Sequence, residues 1–469
     1  YDFITALCKK AVVKAKQTKE QARSLKIDAV LTHKFLAFPI FIGIMALIFY
    51  LTFGVVGAFL SDGFSYIIGL FTAAADNALY ALDINKALHS LIIDGIFAGV
   101  GSVLSFLPTI VILFLFLSIL EDSGYMARVA FVMDKVLRKI GLSGRSFVPL
   151  IIGFGCSVPA IMATRTLSSE RDRKMTILLV PFMSCSAKLP IYAIFVSAFF
   201  KSHQALVMTF LYIFGIIMGI LSCLLLKGIL FEGKPVPFVM ELPAYRFPSF
   251  KNVCLHMWEK AKDFIVKAFT IIFCATVIIW VLQNFDLHFN MTDDASKSIL
   301  AFIGGLAAPI FKPLGFGDWR AATALVTGLT AKEAVVSTIQ MLTGEAGLAS
   351  VFTTPLCAFS FLIFTLLYMP CVAAMAAIRR EFNSTLKSVY MMLYQTAFAY
   401  AAAFCVYNAG RVMGFGRNFA PTLSEIIIGI VLIVLITAAV LYLICKKNSG
   451  ETDCKNGKIC ADRTKDSSF

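Results

Sequence analysis

Apolar runs long enough to form membrane helices divide most of the chain. The clearest runs cover residues 36–60, 206–226, 268–282, 356–369 and 426–444. A helix needs about 20 apolar residues to cross about 30 Å of hydrocarbon, so the longer runs predict full spans and the shorter ones half-spans. The runs do not alternate polar and apolar residues, as membrane strands do. The pattern predicts an all-α polytopic membrane protein in contact with the lipid bilayer.

Two stretches interrupt this apolar pattern in the same way. Residues 147–200 contain IIGFGCSVPAIMATR and PFMSCSAKLPIYA, and residues 319–380 contain LVTGLTAKEAVVS and LLYMPCVAAMAAIRRE. Each stretch has a segment that ends in glycine, a break, a short helix, a polar connector and a second segment broken at a cysteine. Broken helices at membrane depth expose backbone and polar groups to a substrate. The order predicts two inverted gate repeats of a transporter.

Composition and charge support a membrane protein. Hydrophobic residues make up 59% of the chain and charged residues 15%, whereas a soluble domain is about half apolar. The net charge is +14, but the basic residues flank apolar runs, so they indicate membrane topology and not a nucleic-acid partner. They crowd residues 9–34, 171–174 and 379–380 and the tail after 446. The positive-inside rule then predicts cytoplasmic termini and an even number of spans, about eight.

Seven segments follow from these patterns. They are 1–35, a basic cytosolic or juxtamembrane linker; 36–145, first spans and amphipathic helices; 146–230, gate repeat 1; 231–318, a linker, a long helix and an external loop; 319–405, gate repeat 2; 406–445, the last span; and 446–469, a cytoplasmic tail. Within the second segment, residues 61–85 are too polar to cross and are expected at the outer interface. An amphipathic helix capped by Asp122 or Ser123 is expected next.

Three cysteines lie at the predicted breaks. The two glycines and the proline of GFGCSVP predict that the chain unwinds around Cys156 and restarts as a helix after it. Cys185 in PFMSCSAKLP and Cys371 in YMPCV have the same proline-flanked context. A lone membrane cysteine is usually a buried structural residue. Because the context recurs, ligand or pore-lining roles are the competing interpretation, and free thiols are favoured over disulfides.

The second break carries charge inside an apolar run. Thr330 and Glu333 have the spacing of a capping box, in which both side chains satisfy free amides at a helix start. Charges within a membrane are costly and by default functional. Glu333 is therefore either a cap or, with Lys332, part of the path.

Other groups near the breaks are candidates with a plainer alternative. Glu121 and Asp122 either end an interfacial helix or gather divalent cations at a pore mouth, and Asp94 raises the same question. Met369 is a candidate thioether ligand, although methionine often only fills gaps. Ser157, Ser184 and Thr330 are candidate auxiliary oxygen ligands.

These motifs resemble the membrane domain of the ferrous iron transport protein B family, FeoB. The resemblance covers nearly the whole chain and is carried by YDFI, EDSGYMARVAFVMD, GFGCSVPAIMATRTL, SERDRKMTILLVPFMSCSAKLPIYA, TGLTAKEAVV and YMPCVAAM. It implies that ferrous iron crosses the bacterial cytoplasmic membrane between two gate repeats. It further implies that Cys156 and Cys371 are the gate cysteines of the iron path, with Cys185 in the adjoining motif.

The resemblance also implies parts that this chain lacks. Family members carry an N-terminal GTP-binding domain, so GTP and Mg²⁺ belong to that missing domain, and Tyr1 and Asp2 lie where we expect it to be joined. No GxxxxGK[ST] loop occurs in the 469 residues, so no enzymatic activity is predicted for them. Small cytosolic accessory proteins of the iron system and a homo-oligomer are further expected partners.

The prediction is therefore a ferrous iron transporter with Cys156, Cys185 and Cys371 as transient metal ligands. Ferrous iron binds less tightly than copper or zinc, so a path must hold it loosely and select it by geometry. Two alternatives stay open. One is an organic-solute, nucleoside-like carrier on the same gate fold, and the other is a membrane receptor or scaffold whose broken helices serve packing.

Overall fold

The computed structural model describes residues 19–33, 36–82, 85–97, 101, 104–105, 107–201, 203–227, 245, 248–267, 273–288, 290–292, 295–343 and 347–412. Regular structure in these ranges is helical, apart from one isolated bridge between Phe285 and Met291. The prediction of an all-α fold is confirmed.

Eighteen helices are numbered here in chain order. The first part forms α1 (Lys19–Leu31), α2 (Ala37–Ala81), α3 (Lys86–Ser90), α4 (Leu107–Asp122) and α5 (Tyr125–Ile140). The first broken unit forms α6 (Phe147–Gly155), α7 (Ser157–Ala163), α8 (Glu170–Leu179), α9 (Leu189–Phe199) and α10 (Gln204–Lys227). The connection forms α11 (Phe250–Lys267), α12 (Phe273–Asn284) and α13 (Ile299–Phe311). The second broken unit forms α14 (Trp319–Thr327), α15 (Ala334–Thr343), α16 (Pro355–Leu367), α17 (Val372–Phe382) and α18 (Thr385–Val412).

Several of these helices have the length and composition of membrane spans. Within the described ranges, five helical stretches qualify, or seven when two bent pairs each count as one span. The bent pairs are α4 with α5, at 81°, and α13 with α14, at 106°. Most of the predicted last span and the whole tail fall beyond residue 412, outside the described residues, so the number of about eight spans stays a prediction.

Helix α2 shows how residues 61–85 are folded. These residues were expected to be too polar to cross and to lie at the outer interface, and those up to Ala81 belong to a helix of 45 residues that begins at Ala37. At 1.5 Å per residue this helix is about 68 Å long, twice the thickness of the hydrocarbon. The position of residues 61–85 at the outer interface stays a prediction.

The bend between α4 and α5 corrects the predicted N-cap of α5. Asp122 is the last residue of α4, and the residue before α5 is Gly124, with a left-handed φ of 79°. A left-handed residue turns the chain sharply, and glycine adopts that conformation without a Cβ penalty. Gly124 therefore takes the N-cap position predicted for Asp122 or Ser123.

A buried ion pair attaches α1 to α5. Arg128 is 1% exposed, and its Nε and Nη2 donate to the Asp28 carboxylate at 3.0 and 3.3 Å. Tyr245 donates its hydroxyl to the same carboxylate at 3.0 Å, and its ring lies 4.1 Å from the guanidinium. Burial, together with Asp28, raises the pKa of Tyr245. These contacts fix the basic N-terminal helix against the α4–α5 bend.

The two broken units have the same order of elements, so α6 to α10 correspond to α14 to α18. Helix α7 packs on α17 of the other unit, and α9 packs on α15. Each unit also places its fourth helix in the other unit's core. Ala374 and Ile378 of α17 join the core formed by α4 to α8, while Tyr192 and Phe195 of α9 join the core of the second unit. This reciprocal packing is what a pseudo-two-fold axis requires, and it confirms the two inverted repeats.

A glycine stands at the first break of each unit because neighbouring atoms leave no room for a Cβ. A Cβ on Gly155 would collide with Leu113. A Cβ on Gly328 would collide with Val335 and would lie 2.5 Å from the Tyr368 hydroxyl. The missing side chains allow the two breaks to lie against the helices around them.

We expect Gly328→Ala to lower the midpoint of thermal unfolding of the detergent-solubilised protein by several degrees, because overpacking of this kind costs about 1–3 kcal/mol. Gly305→Ala is the matched control, since Gly305 lies in α13 with no atom within 4 Å of an added Cβ. Alanine favours a helix there, so the control should keep or slightly raise the midpoint. Equal midpoints for the two variants would contradict the packing described here.

Candidate ion path

A cavity of about 120 Å³ lies where the breaks of the two units meet. Cys156 from the first break and Cys185 from the second break of the first unit line it, together with Cys371 from the second unit. We name it the thiol cavity. All three cysteines are half-buried, and none forms a disulfide. The structure thus brings together the three cysteines that the sequence singled out.

Each of these cysteines is the extended residue before a helical segment. Cys156 has φ −153° and ψ 134° between α6 and α7, as the glycines of GFGCSVP predict. Cys371 has φ −63° and ψ 159° directly before α17. The new helix after Cys156 includes Val158, although a residue before proline generally disfavours helical backbone. Pro159 lies in the first turn of α7, where its missing N–H costs no hydrogen bond, so the helix starts at Ser157.

One hydrogen bond in each unit ties its two breaks together. In the first unit, the Ser186 hydroxyl donates to the Gly155 carbonyl at 2.9 Å. In the second, the Val372 amide donates to the Leu329 carbonyl at 2.7 Å. In both cases the donor follows the cysteine of the second break, and the acceptor belongs to the first break. The equivalent bonds place each second-break cysteine beside the first break of its own unit.

Lys188 joins the two units at the cavity wall. It is 3% exposed, and its ammonium donates to the carbonyls of Pro181, Met183 and Leu366 at 3.1, 3.3 and 2.7 Å. Leu366 belongs to α16 of the second unit, whereas the other two carbonyls belong to the first. The ammonium therefore satisfies carbonyl groups that the broken helices leave without a partner.

Lys332 belongs to the second unit and binds a carbonyl directly after the end of α16. It is also 3% exposed, and its ammonium donates to the Met369 carbonyl at 2.8 Å. The same nitrogen lies 3.0 Å from the centroid of the Tyr368 ring, a cation–π contact. In the ranges that the structure describes, neither Lys188 nor Lys332 forms an ion pair. Two lysine side chains that are bound by carbonyl groups therefore line the thiol cavity.

The other predicted path residues divide into two groups. Ser157, Thr330, Lys332 and Glu333 line the thiol cavity with the cysteines. The remaining four do not belong to its lining: Ser184, Met369, Glu121 and Asp122.

The four residues outside the lining have clear positions. Ser184 is buried, and its hydroxyl lies 3.3 Å from that of Tyr192, in the core around α9. Met369 contributes its carbonyl to Lys332. Glu121 is exposed and Asp122 half-buried, both at the α4–α5 bend. These placements leave the bend carboxylates apart from the three cysteines.

The capping box predicted at the second break does not form. The Thr330 hydroxyl donates to the Thr327 carbonyl at 2.7 Å, which continues the end of α14 and does not start α15. Helix α15 begins at Ala334, after Glu333. The prediction of a box was wrong because residues 328–333 form consecutive turns rather than one N-cap. A helix nevertheless begins here within apolar sequence, as expected.

Sequence reasoning missed two residues of the thiol cavity. Lys188 is a charge inside the apolar run that contains AKLP, the same signal that marked Lys332. Tyr368 carries no such signal, because an aromatic residue in an apolar run is ordinary. No group of three or more His, Cys, Asp or Glu residues with metal-site geometry occurs in the described part of the chain. The lining therefore offers thiols, hydroxyls and one carboxylate as separate donors.

A second cavity of about 600 Å³ also borders the break at residues 328–333. We name it the polar chamber. Thr330, Ala331 and Glu333 line both cavities. Asp94 and Gln283 line the chamber but not the thiol cavity. The break is thus the partition between two cavities.

Comparison with known families agrees with this architecture. A gate domain profile described as nucleoside recognition matches residues 103–199 and 265–385. A profile of the ferrous iron transport protein B C terminus matches residues 208–260. The gate matches begin ahead of both predicted repeats and take in α4 and α5 in one case and α12 and α13 in the other. The predicted boundaries at 146 and 319 stay predictions.

Curated relatives carry the same family name. The Fe(2+) transporter FeoB of Staphylococcus aureus (strain MSSA476) is 46% identical over 399 residues, which cover 84% of this chain and 60% of the relative. That of Campylobacter jejuni is 39% identical over 431 residues, covering 88% and 69%. That of Methanocaldococcus jannaschii is 38% identical over 399 residues, covering 82% and 59%. The chain spans about 60% of the length of the Staphylococcus aureus relative. On these matches, the chain belongs to the FeoB family of ferrous iron transporters.

Proposed function

We propose that this chain is the ion-conducting part of a transporter that moves ferrous iron into the cytoplasm through the thiol cavity. The observation that carries the proposal is the meeting of cysteines from both broken units in one cavity. Thiols suit a borderline metal such as Fe²⁺, and separate donors hold it loosely enough for release. Ser157 and Thr330 add hydroxyl oxygens to the three sulfurs.

The distribution of charge supports an orientation of the chain in the membrane. Arg165, between α7 and α8, pairs with Glu381 of α17 at 2.6 Å. The basic groups 171–174 and 379–380 adjoin these two residues in sequence, so they belong to one end of the molecule. The positive-inside rule assigns that end to the cytoplasm of a bacterial cell membrane. Both termini are proposed to lie on this side.

We propose that the energy for transport and the protein partners are supplied by parts other than the thiol cavity. We assign GTP and Mg²⁺ to a nucleotide-binding domain in the part of the longer relatives that this chain does not cover. A relative from Porphyromonas gingivalis is named as a fusion of Fe(2+) transport protein A with the FeoB transporter. A small accessory protein is therefore a proposed partner, and a homo-oligomer is a further one.

The buried lysines act as the electrostatic barrier of the path. An ammonium next to a divalent cation repels it strongly, because the surroundings screen charge poorly. Arrival of Fe²⁺ thus favours withdrawal of Lys332 from the Met369 carbonyl, and the freed oxygen becomes available to the ion. Glu333, beside Lys332, lowers the repulsion on the approaching ion.

A nucleoside-like carrier is the second candidate, because the gate profile is described as nucleoside recognition. Pockets for such organic molecules usually have volumes of about 300–1,000 Å³. The thiol cavity has about 120 Å³, which favours an ion. Competition of uptake by nucleosides or by divalent metals separates the two candidates. A receptor or scaffold would give no flux in proteoliposomes.

We expect the double variant Cys156→Ala/Cys371→Ala to lose at least about 90% of the initial rate of Fe²⁺ influx, because two sulfur ligands are removed. The measurement uses the whole transporter, with its nucleotide-binding domain, in proteoliposomes under anaerobic conditions. Cys274→Ala/Cys405→Ala is the matched control, since both cysteines are exposed and outside the thiol cavity. Full influx by the first variant at equal protein incorporation would refute the thiol path.

We expect Lys332→Met to lower the KM for Fe²⁺ by about tenfold, because a positive charge leaves the cavity. Lys332→Arg keeps the charge, so its KM should not fall as that of Lys332→Met does. Lys201→Met removes an exposed lysine elsewhere and is the control. A KM for Lys332→Met equal to that of Lys201→Met would show that the ammonium is no barrier to the ion.

A further inference from the structure

The polar chamber has the size and lining of a site for a hydrated ion. We propose that it is the outer access site of the path, which takes up hydrated divalent cations before they lose water at the thiol cavity. This inference rests on the proposed function and adds a second, separate binding site to it. Its lining comes mainly from α12, α15, the break at residues 328–333 and the turn at residues 91–97.

Volume and lining together distinguish the two cavities. A cavity needs about 10–15 Å³ of volume for each water, so a divalent ion with six bound waters needs about 60–90 Å³. The chamber, at about 600 Å³, holds such an ion with room to spare, and the thiol cavity, at about 120 Å³, holds it more closely. Only the thiol cavity has sulfur atoms in its lining, and an ion that binds them directly gives up water to do so.

The chamber lining suits an ion that keeps its water. Carboxylates stand at Asp94 and Glu333, and side-chain amides and hydroxyls at Gln283, Gln340, Ser337 and Thr330. These groups accept hydrogen bonds from bound water, and the carboxylates add negative charge. None of the cysteines that the structure describes belongs to the lining. The chamber therefore selects for charge and hydration, and the thiols select for direct coordination.

A chain of hydrogen bonds holds Asp94 in place. The Trp280 indole N–H donates to the Ser90 hydroxyl at 3.3 Å, and that hydroxyl donates to the Asp94 carboxylate at 2.8 Å. Asp94 lies in the π-helical turn Leu91–Phe97, and such turns are frequent at functional sites. The next residue, Gly95, has no side chain, so the Trp280 ring can pack against its backbone. A Cβ on Gly95 would lie only 3.0 Å from the Trp280 Cγ atom. The carboxylate is thus positioned rather than left to move freely.

Glu333 connects the chamber with the thiol cavity. It lines both cavities, and it forms no ion pair with any residue in the described ranges. Thr330 shares the partition with it. A cation that leaves Asp94 therefore meets a second carboxylate directly before the sulfurs, where an oxygen ligand can replace departing water.

The lining of the chamber adjoins the loop that the sequence predicts to be external. It includes Thr276 and Gln283 of α12, and the chain leaves α12 into the loop that carries Asp286 and His288. None of the basic residues in 171–174 and 379–380, which are proposed to be cytoplasmic, is part of the lining. On this assignment, an ion from outside reaches the chamber first.

The test uses the hexaamminecobalt trication, which has the size of a hydrated ion and does not exchange its ligands. It can occupy a site for hydrated ions but cannot bind a thiol. Applied to the outer face of proteoliposomes that contain the whole transporter, it should inhibit Fe²⁺ influx competitively. Asp94→Asn and Glu333→Gln should each raise both its inhibition constant and the KM for Fe²⁺ by about fivefold or more.

Two controls make the test specific. Asp62→Asn removes an exposed carboxylate that does not line the chamber, and should change neither constant. Asp94→Glu keeps the charge and should restore most of the inhibition. High salt should shrink the effect of Asp94→Asn, because exposed charges are screened.

The outcomes distinguish this site from the thiol path. If the two carboxylate variants match Asp62→Asn in both constants while the cysteine variant loses influx, the chamber is not an access site and the thiol path stands. If the cysteine variant keeps full influx, the thiol path fails whatever the trication does. Inhibition by the trication from the cytoplasmic face alone would also overturn the access site.

Discussion

The constraint behind this structure is that carbonyl and amide groups at the ends of broken helices must find partners inside the membrane. Unsatisfied backbone groups cost several kcal/mol each in hydrocarbon, on the order of 2–7 kcal/mol. The protein meets this cost with bonds between breaks and with two buried ammonium groups. Ser186 and Val372 tie the breaks within each unit, and Lys188 joins carbonyls of both units. Without these bonds, a cavity lined by cysteines at this depth would not be stable.

The same bonds relate stability to transport. The carbonyls at the end of α16 are held by Lys332 and Lys188, so the residues around Cys371 are positioned by groups of like charge to the proposed substrate. In the proposed mechanism, an arriving cation competes with the lysines for these oxygens. We therefore expect the end of α16 to respond to the ion. Its carbonyl groups are bound by lysine side chains, which can move away, and not by the backbone amides of a continuing helix. Helix α17 packs in the core of the first unit and α9 in the core of the second. A movement at the end of α16 would therefore affect the packing of both units.

The breaks could be predicted from residues that are neighbours in sequence, but the directions of several side chains at the breaks could not. Glycine and proline around Cys156 are enough to place an extended residue between two helices, and the apolar runs are enough to predict helices. Ser184 points into the core beside Tyr192 instead of toward the cysteines, because helical periodicity is lost at a break. Lys188 binds a carbonyl 178 residues away in the chain, and nothing local specifies such a partner. Gly124 took the position predicted for Asp122 because the turn requires a left-handed residue, a tertiary demand.

The most direct measurement of the central claim is chemical bridging of Cys156 and Cys371 in the whole transporter with every other cysteine replaced. A short bifunctional thiol reagent such as dibromobimane is applied, the bridged peptides are quantified by mass spectrometry, and Fe²⁺ influx is measured on the same sample. The account predicts that a bridge forms between the two units, that excess Fe²⁺ slows its formation, and that influx stops once it is complete. Labelling of each thiol without any bridge, or full influx through the bridged protein, would contradict a shared path between the two units.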